Sequence, residues 1–353
     1  VNTDFQSLMA HANRLTQSGD LMAATAAIQQ ALGGTLAVRA RTTPGDEPID
    51  GTDLVTVVDG PSQAPASGGR TVSGQHASAH GSRDYRLYIP PQAGNAPLPL
   101  VMMLHGCTQT ADDFATGTGM SRAALERGFY VLYPEQSAQA NPQRCWNWFK
   151  HSHQERERGE PALLAAMLHK VMADHAVDPA RVYVAGLSAG GAMAAILADT
   201  HPELFAAVGV HSGLAAGSAR DLPGALNAMR QGGAGNSGNG GSSGRGSVPT
   251  IVFHGDADAT VHPSNGEHVI AAAGAVGGAS SSEQVQRRGR RASTQRVHRA
   301  DDGRVLAEHW VVHGAAHAWA GGSPMGSYTD ARGPDASGEM VRFFLAHPRQ
   351  QAH

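Results

Sequence analysis

The sequence predicts an α/β fold, a mostly parallel sheet with helices on both faces, preceded by an N-terminal helical hairpin. Two observations carry this. From Tyr85 onward, apolar runs of strand length alternate with helical segments, the pattern that parallel strands joined by crossover helices leave in a sequence. One such passage, Val182 to Asp199, turns through Gly186, Gly190 and Gly191 and holds Ser188 at the turn.

The elements follow in order. Phe5, Leu8, Met9, Ala12 and Leu15 fall at helical spacing, as do Leu21, Ala24, Ile28, Ala31 and Leu32, with Gly19-Asp20 as break and N-cap. Residues 1–35 are therefore read as the helical hairpin. Residues 36–82 turn rich in Gly, Pro, Ser and Thr and read as a linker, with Leu54–Val58 as a candidate edge strand. Residues 83–348 are assigned to one α/β domain. Its strand candidates are Tyr85–Ile89, Leu98–Leu104, Tyr130–Tyr133, Val182–Ala185, Ala207–Val210, Thr250–Phe253 and Glu308–Val312. Its helical candidates include Ser121–Arg127, Pro161–His175 and Ala192–Asp199. Met102 and Met103 read as sheet packing. Two stretches, 231–247 and 274–293, are rich in Gly and Ser and read as flexible surface loops; the basic cluster Arg287–Arg291 in the second reads as solvated.

The chain has 353 residues, 41% apolar and 16% charged, with a formal charge of -3. That balance is ordinary for a globular protein and leaves no electrostatic footprint for nucleic acid or an anionic membrane. No run approaches the ~18 apolar residues of a membrane span, and the N-terminus has no basic-then-apolar signal. The expected partner is a neutral small molecule or polymer. No cofactor is expected, and no metal, since neither an H-x-x-x-H helix nor a close Cys/His cluster stands out. Two cysteines, Cys107 and Cys145, read as a disulfide or as two buried thiols.

Ser188 sits in a G-x-S-x-G frame, and a serine hydroxyl needs a base, which in turn needs an orienting acid. After the strand at 250–253 comes His254-Gly255-Asp256-Ala257-Asp258, and after the strand at 308–312 comes His313-Gly314-Ala315-Ala316-His317. Serine, then aspartate, then histidine is the chain order of the α/β-hydrolase fold. Asp258 is the chosen acid with Asp256 as alternative, and His317 the chosen base with His313 as fallback. Backbone N–H groups must hold the oxyanion. Ala189, just after the nucleophile, offers one; Cys107, or as second choice Thr108, in His105-Gly106-Cys107-Thr108 offers the other. Three of the four tryptophans, Trp146, Trp148 and Trp319, flank these motifs and read either as core or as an apolar wall for substrate.

Together, L-H-G-C-T-Q-T at 104–110, C-W-N-W-F at 145–149, G-L-S-A-G-G at 186–191, H-G-D-A-D-A-T-V at 254–261 and G-A-A-H-A-W at 314–319 resemble one family. It is the esterases of the polyhydroxybutyrate (PHB) depolymerase family, related to feruloyl and acetyl-xylan esterases, and the resemblance spans about 85–345. It implies a serine esterase cleaving poly(3-hydroxybutyrate)-type polyester or its oligomers, with Ser188, Asp258 and His317 as triad. It also implies a Cys107–Cys145 disulfide and an extracellular or periplasmic location. Two departures stand out: Ala320 follows Trp319 where the family usually has proline, and the chain ends too soon after His317 for a separate polymer-binding domain. Feruloyl or acetyl-xylan esterase activity is the runner-up. A non-catalytic polymer-binding protein is the alternative of another class, which the intact Ser, Asp and His set argues against.

Overall fold

A computed structural model describes residues 68–233, 248–274, 279–285 and 290–349, all within the unit Pro65–His353. The expected hairpin at 1–35 and the strand-like run at 54–58 lie outside the described residues.

The strands are β1 (Arg70–Ser78), β2 (Gly81–Ile89), β3 (Leu98–Leu104), β4 (Tyr130–Pro134), β5 (Val177–Leu187), β6 (Ala207–His211), β7 (Thr250–Gly255), β8 (Ala279–Val285), β9 (Ser293–Arg299) and β10 (Val305–Val312). They form one sheet in the order β1-β2-β4-β3-β5-β6-β7-β10-β9-β8. From β4 to β10 every pairing is parallel; β1, β2, β9 and β8 extend the two edges antiparallel. This is the α/β sheet the sequence predicts.

Its middle is apolar on both faces because both are covered. Along β3, Leu100, Met102 and Leu104 pack on one side, and Val101 and Met103 on the other. The first side meets α3 (Gly159–Asp174), α4 (Ala189–Thr200), α5 (Leu222–Gln231) and α6 (Ser264–Ala272). The second meets α1 (Ala111–Thr118), α2 (Met120–Arg127) and α7 (Ala336–Ala346). Burial of both faces is what turns a strand into a continuous apolar run, and it makes these central strands legible.

The edges differ from expectation. The sheet begins at Arg70, inside the stretch read as linker. In β1 alternate residues are half-buried and the rest exposed, so Arg-Thr-Val-Ser-Gly-Gln-His-Ala-Ser carries little apolar signal. Residues 274–293 are likewise not one loop, since 279–285 pair antiparallel with β9. β9 itself, Ser-Thr-Gln-Arg-Val-His-Arg, is mostly half-buried and was not visible as a strand. The arginine cluster is also tied down in its described part. Arg290 donates to the carbonyls of Ala331 and Gly333, and Arg291 pairs with Asp330 at 2.5 Å.

Candidate active site

The carboxyl ends of β3, β5, β7 and β10 lead into the four loops that carry the predicted site, where an open α/β sheet places its ligands. At the end of β5 the chain turns sharply into α4. Ser188 holds φ 57° and ψ −120°, left-handed backbone that a non-glycine residue adopts at a cost of about 1–3 kcal/mol and keeps where the surroundings enforce it. Here they do. A Cβ at Gly190 would lie 2.0 Å from the Leu104 carbonyl oxygen, and one at Gly186 would lie 2.3 Å from Gly190. Only glycine lets the elbow press so closely on β3. Ser188 N donates to His211 O at 2.9 Å, which fastens the elbow to β6.

Asp258 follows β7 and is buried. Its Oδ1 accepts from the N–H groups of Thr260 and Val261, both at 2.9 Å, and its Oδ2 lies 2.7 Å from His317 Nδ1. Burial alone would raise the Asp258 carboxyl; the His317 hydrogen bond and charge, the Val261 N–H and His254 outweigh it and hold it below its ordinary value. An ionised carboxylate only accepts, so Nδ1 carries the proton and Nε2 of neutral His317 is the basic nitrogen. Among the described residues no hydrogen bond joins His317 to Ser188; that contact is commonly loose before substrate binds.

His211 connects the two. Its backbone holds Ser188, while its Nε2 accepts from Ala320 N at 2.9 Å, in the loop of His317. Complete burial above all pushes it down to about 3, so it stays neutral and keeps the lone pair this bond needs. His254 is neutral as well: burial pushes it down to about 4, and its Nε2 donates to Val261 O at 2.9 Å. Sequence reasoning passed over His211, whose one signal was a polar residue at the carboxyl end of an apolar strand.

The alternatives Asp256 and His313 pair with each other at 2.8 Å, and Asp256 also accepts from Gly314 N at 2.6 Å. With Asp256 exposed, the pair ties the acid loop to the base loop and stands apart from the buried Asp258–His317 couple.

The loop after β3 is held from several sides. His105 Nε2 accepts from Gln136 N at 3.0 Å, so its Nδ1 carries the proton and donates to Gly106 O at 2.7 Å. Gln109 Oε1 accepts from Gly106 N at 2.9 Å. Thr108, the second-choice oxyanion donor, is ruled out by its own bond: its N–H is taken by Gln143 O at 2.7 Å. Cys107 N–H has no protein acceptor among the described residues, and Ala189 N–H opens α4, where helix N–H groups lack partners. Cys107 and Cys145 form a disulfide across 38 residues of sequence, as the resemblance implies.

The tryptophan wall is a correction. Trp146, Trp148 and Trp319 are 0%, 4% and 1% exposed and belong to the core. Trp146 Nε1 donates to His105 O at 3.1 Å and Trp319 Nε1 to Ser337 Oγ at 3.1 Å, so these indoles buttress the site loops from behind. Beneath the Trp146 loop lies Glu160, missed in the sequence because a lone glutamate opening a helix is unremarkable. It accepts from Asn147 N at 2.7 Å and from Gln136 Nε2 at 2.5 Å, and pairs with Arg83 at 3.3 Å.

The family model described as "Esterase PHB depolymerase" matches residues 83–296. Poly(3-hydroxyalkanoate) depolymerase C of Paucimonas lemoignei is 36% identical over 188 residues, 51% of this chain and 45% of that protein. Acetylxylan esterase A of Talaromyces purpureogenus is 30% identical over 208 residues, 55% of this chain and 53% of that one. The chain thus spans about half the length of the curated relatives it matches. Among solved structures, the acetyl xylan esterase from Aspergillus awamori superposes with a TM-score of 0.60 at 20% identity, covering 78% of this chain and 99% of that one, a likeness of fold.

Proposed function

Because the chain belongs to the esterase family of PHB depolymerases, we propose that it hydrolyses carboxylic esters through an acyl-enzyme on Ser188, with poly(3-hydroxybutyrate)-type polyester or its oligomers as substrate. The observation that carries the reading is the buried Asp258–His317 hydrogen bond at 2.7 Å, at the ends of β7 and β10, with β6 between them and the strand that ends in a serine on a strained elbow.

His317 Nε2 takes the Ser188 proton as Oγ attacks the ester carbonyl, and Asp258 stabilises the imidazolium that forms. The oxyanion of the tetrahedral intermediate accepts from Cys107 N–H and Ala189 N–H, each worth on the order of 10²–10³ in rate. Collapse breaks the bond to the alcohol, which leaves with the proton from His317. Water, deprotonated by His317, then attacks the acyl-serine; the bond to Ser188 Oγ breaks, Oγ takes the proton back from His317, and the acid is released. The disulfide and His105 fix the Cys107 donor before substrate arrives, and the disulfide suits an oxidising location, extracellular or periplasmic.

The test is stoichiometric labelling by a fluorophosphonate, lost in Ser188→Ala, together with release of 3-hydroxybutyrate from its oligomers. A wild-type chain that takes no label would sink the acyl-enzyme. A second reading, an acetylxylan or feruloyl type esterase, is favoured by the relatives bearing those names. Turnover of acetylated xylan or methyl ferulate well above that of hydroxybutyrate oligomers would select it.

A further inference from the structure

With the tryptophans buried, an ester substrate needs its apolar contact elsewhere. Among the described residues the exposed large hydrophobic side chains are Leu222, Met325 at 82% and Tyr328 at 47%. The last two share one turn, between β11 (Trp319–Ala320) and β12 (Thr329–Asp330).

That turn is firmly held. Ser327 N donates to Asp113 Oδ1 at 2.9 Å and Ser327 Oγ to Asp113 Oδ2 at 2.5 Å, while Ser323 N donates to Gly117 O at 2.8 Å. Gly326 lies so close to α1 that a Cβ there would meet Gly117 Cα at 2.4 Å. A segment fixed this way, with a methionine and a tyrosine left in solvent, is a preorganised apolar surface.

Tyr328 places it at the reaction site. Its carbonyl accepts from Trp319 N at 2.7 Å, two residues beyond His317. Its phenol oxygen lies 3.1 Å from Thr108 Oγ1, next to Cys107. Thr108 Oγ1 spends its one proton on Cys107 O at 2.6 Å, so the phenol donates to Thr108. Tyr328 therefore bridges the loop that carries His317 and the loop that carries Cys107. Both residues in this bond hold left-handed backbone, Tyr328 at φ 51° and Thr108 at φ 65°, a conformation that marks sites where surroundings impose geometry.

We infer that Tyr328 and Met325 form an apolar subsite that holds an aliphatic stretch of the ester substrate beside the scissile bond. The inference rests on the esterase reading above and specifies which part of the substrate is gripped, and by what.

Two arms test it. In the first, kcat/KM is measured on p-nitrophenyl hexanoate and p-nitrophenyl acetate for wild type, Tyr328→Ala, Tyr328→Phe and Met325→Gln. The hexanoate-to-acetate ratio should fall about tenfold in Tyr328→Ala and threefold or more in Met325→Gln, in line with loss of one or two buried methylene contacts, and stay within twofold in Tyr328→Phe, which keeps the ring. Equal losses on both esters would reduce Tyr328 to a staple for Thr108 and overturn the subsite. In the second arm, calorimetric binding of a 3-hydroxybutyrate trimer is compared in Ser188→Ala with and without Tyr328→Ala, and should weaken about tenfold. That arm needs no turnover, so an unlabelled Ser188 would defeat the esterase reading while trimer binding still decides the subsite; unchanged binding overturns it.

Discussion

At Asp258 two neighbouring carboxylates are divided by what surrounds them. Asp256 accepts from an exposed loop and from His313, whereas Asp258 is buried with two backbone donors on one oxygen and His317 on the other. Asp258→Asn keeps the shape but offers an amide to His317 Nδ1, which favours the wrong tautomer. A drop in kcat of about 10⁴ is expected. Asp256→Asn removes only a loop tie, and kcat/KM should fall less than tenfold; steady-state rates on one p-nitrophenyl ester check both. The Asp258–His317 pairing is legible in the sequence because the spacing His254-Gly255-x-x-Asp258 repeats a known turn. The sequence leaves the tryptophans open between core and wall for a physical reason: an indole beside such a motif packs against the loop from below as readily as it faces substrate, and sequence spacing does not distinguish the two sides. Nor does spacing show that Thr108 N–H is already bonded.

Among the elements, the parallel strands were legible because each is buried on two faces, while β1, β8 and β9 were not, because edge strands keep a polar, half-exposed composition. The loops between them carry the proposed catalytic groups, and their rigidity rests on specific staples. Closing 38 residues of chain, the Cys107–Cys145 disulfide should contribute about 4 kcal/mol through the unfolded state. Urea unfolding of Cys145→Ser should show a loss of that order, and kcat should fall as Cys107 N–H loses its fixed position; a full kcat would mean that the disulfide serves stability alone. Glu160 makes a stronger claim on the same loop. Replacing it by Gln leaves Arg83 as a buried cation without its anion, and a cost of about 3–5 kcal/mol is expected in the same measurement. A loss below 1 kcal/mol would show that water reaches this pair.

Across the whole molecule, the buried histidines behind the site make stability depend on acidity. His211 and His254 titrate in the folded protein at about 3 and about 4, pushed down chiefly by burial, against the ordinary histidine value of 6.5. Between pH 6.5 and about 4 the unfolded chain therefore binds more protons than the folded one. Stability should rise with pH across that window, full above 6.5 and falling as the pH drops, by up to about 1.4 kcal/mol per pH unit for each histidine. The carboxylates act in the same sense further down. Glu267, held down to about 2 by His309 first and then by Arg296, adds stability that is lost as the pH falls below 4.5. Urea unfolding at pH 7, 6 and 5 should show the slope in wild type and a shallower one in His254→Gln, where one titrating group is gone while His211, together with His105 and His201, also held down chiefly by burial, remains. Because His211 and His254 flank Asp258 and His317, the same protons that unfold the chain would first disturb the pair that orients the base. Activity is expected to fail reversibly at the acid end before the protein melts, and an identical slope in His254→Gln would place the acid sensitivity elsewhere.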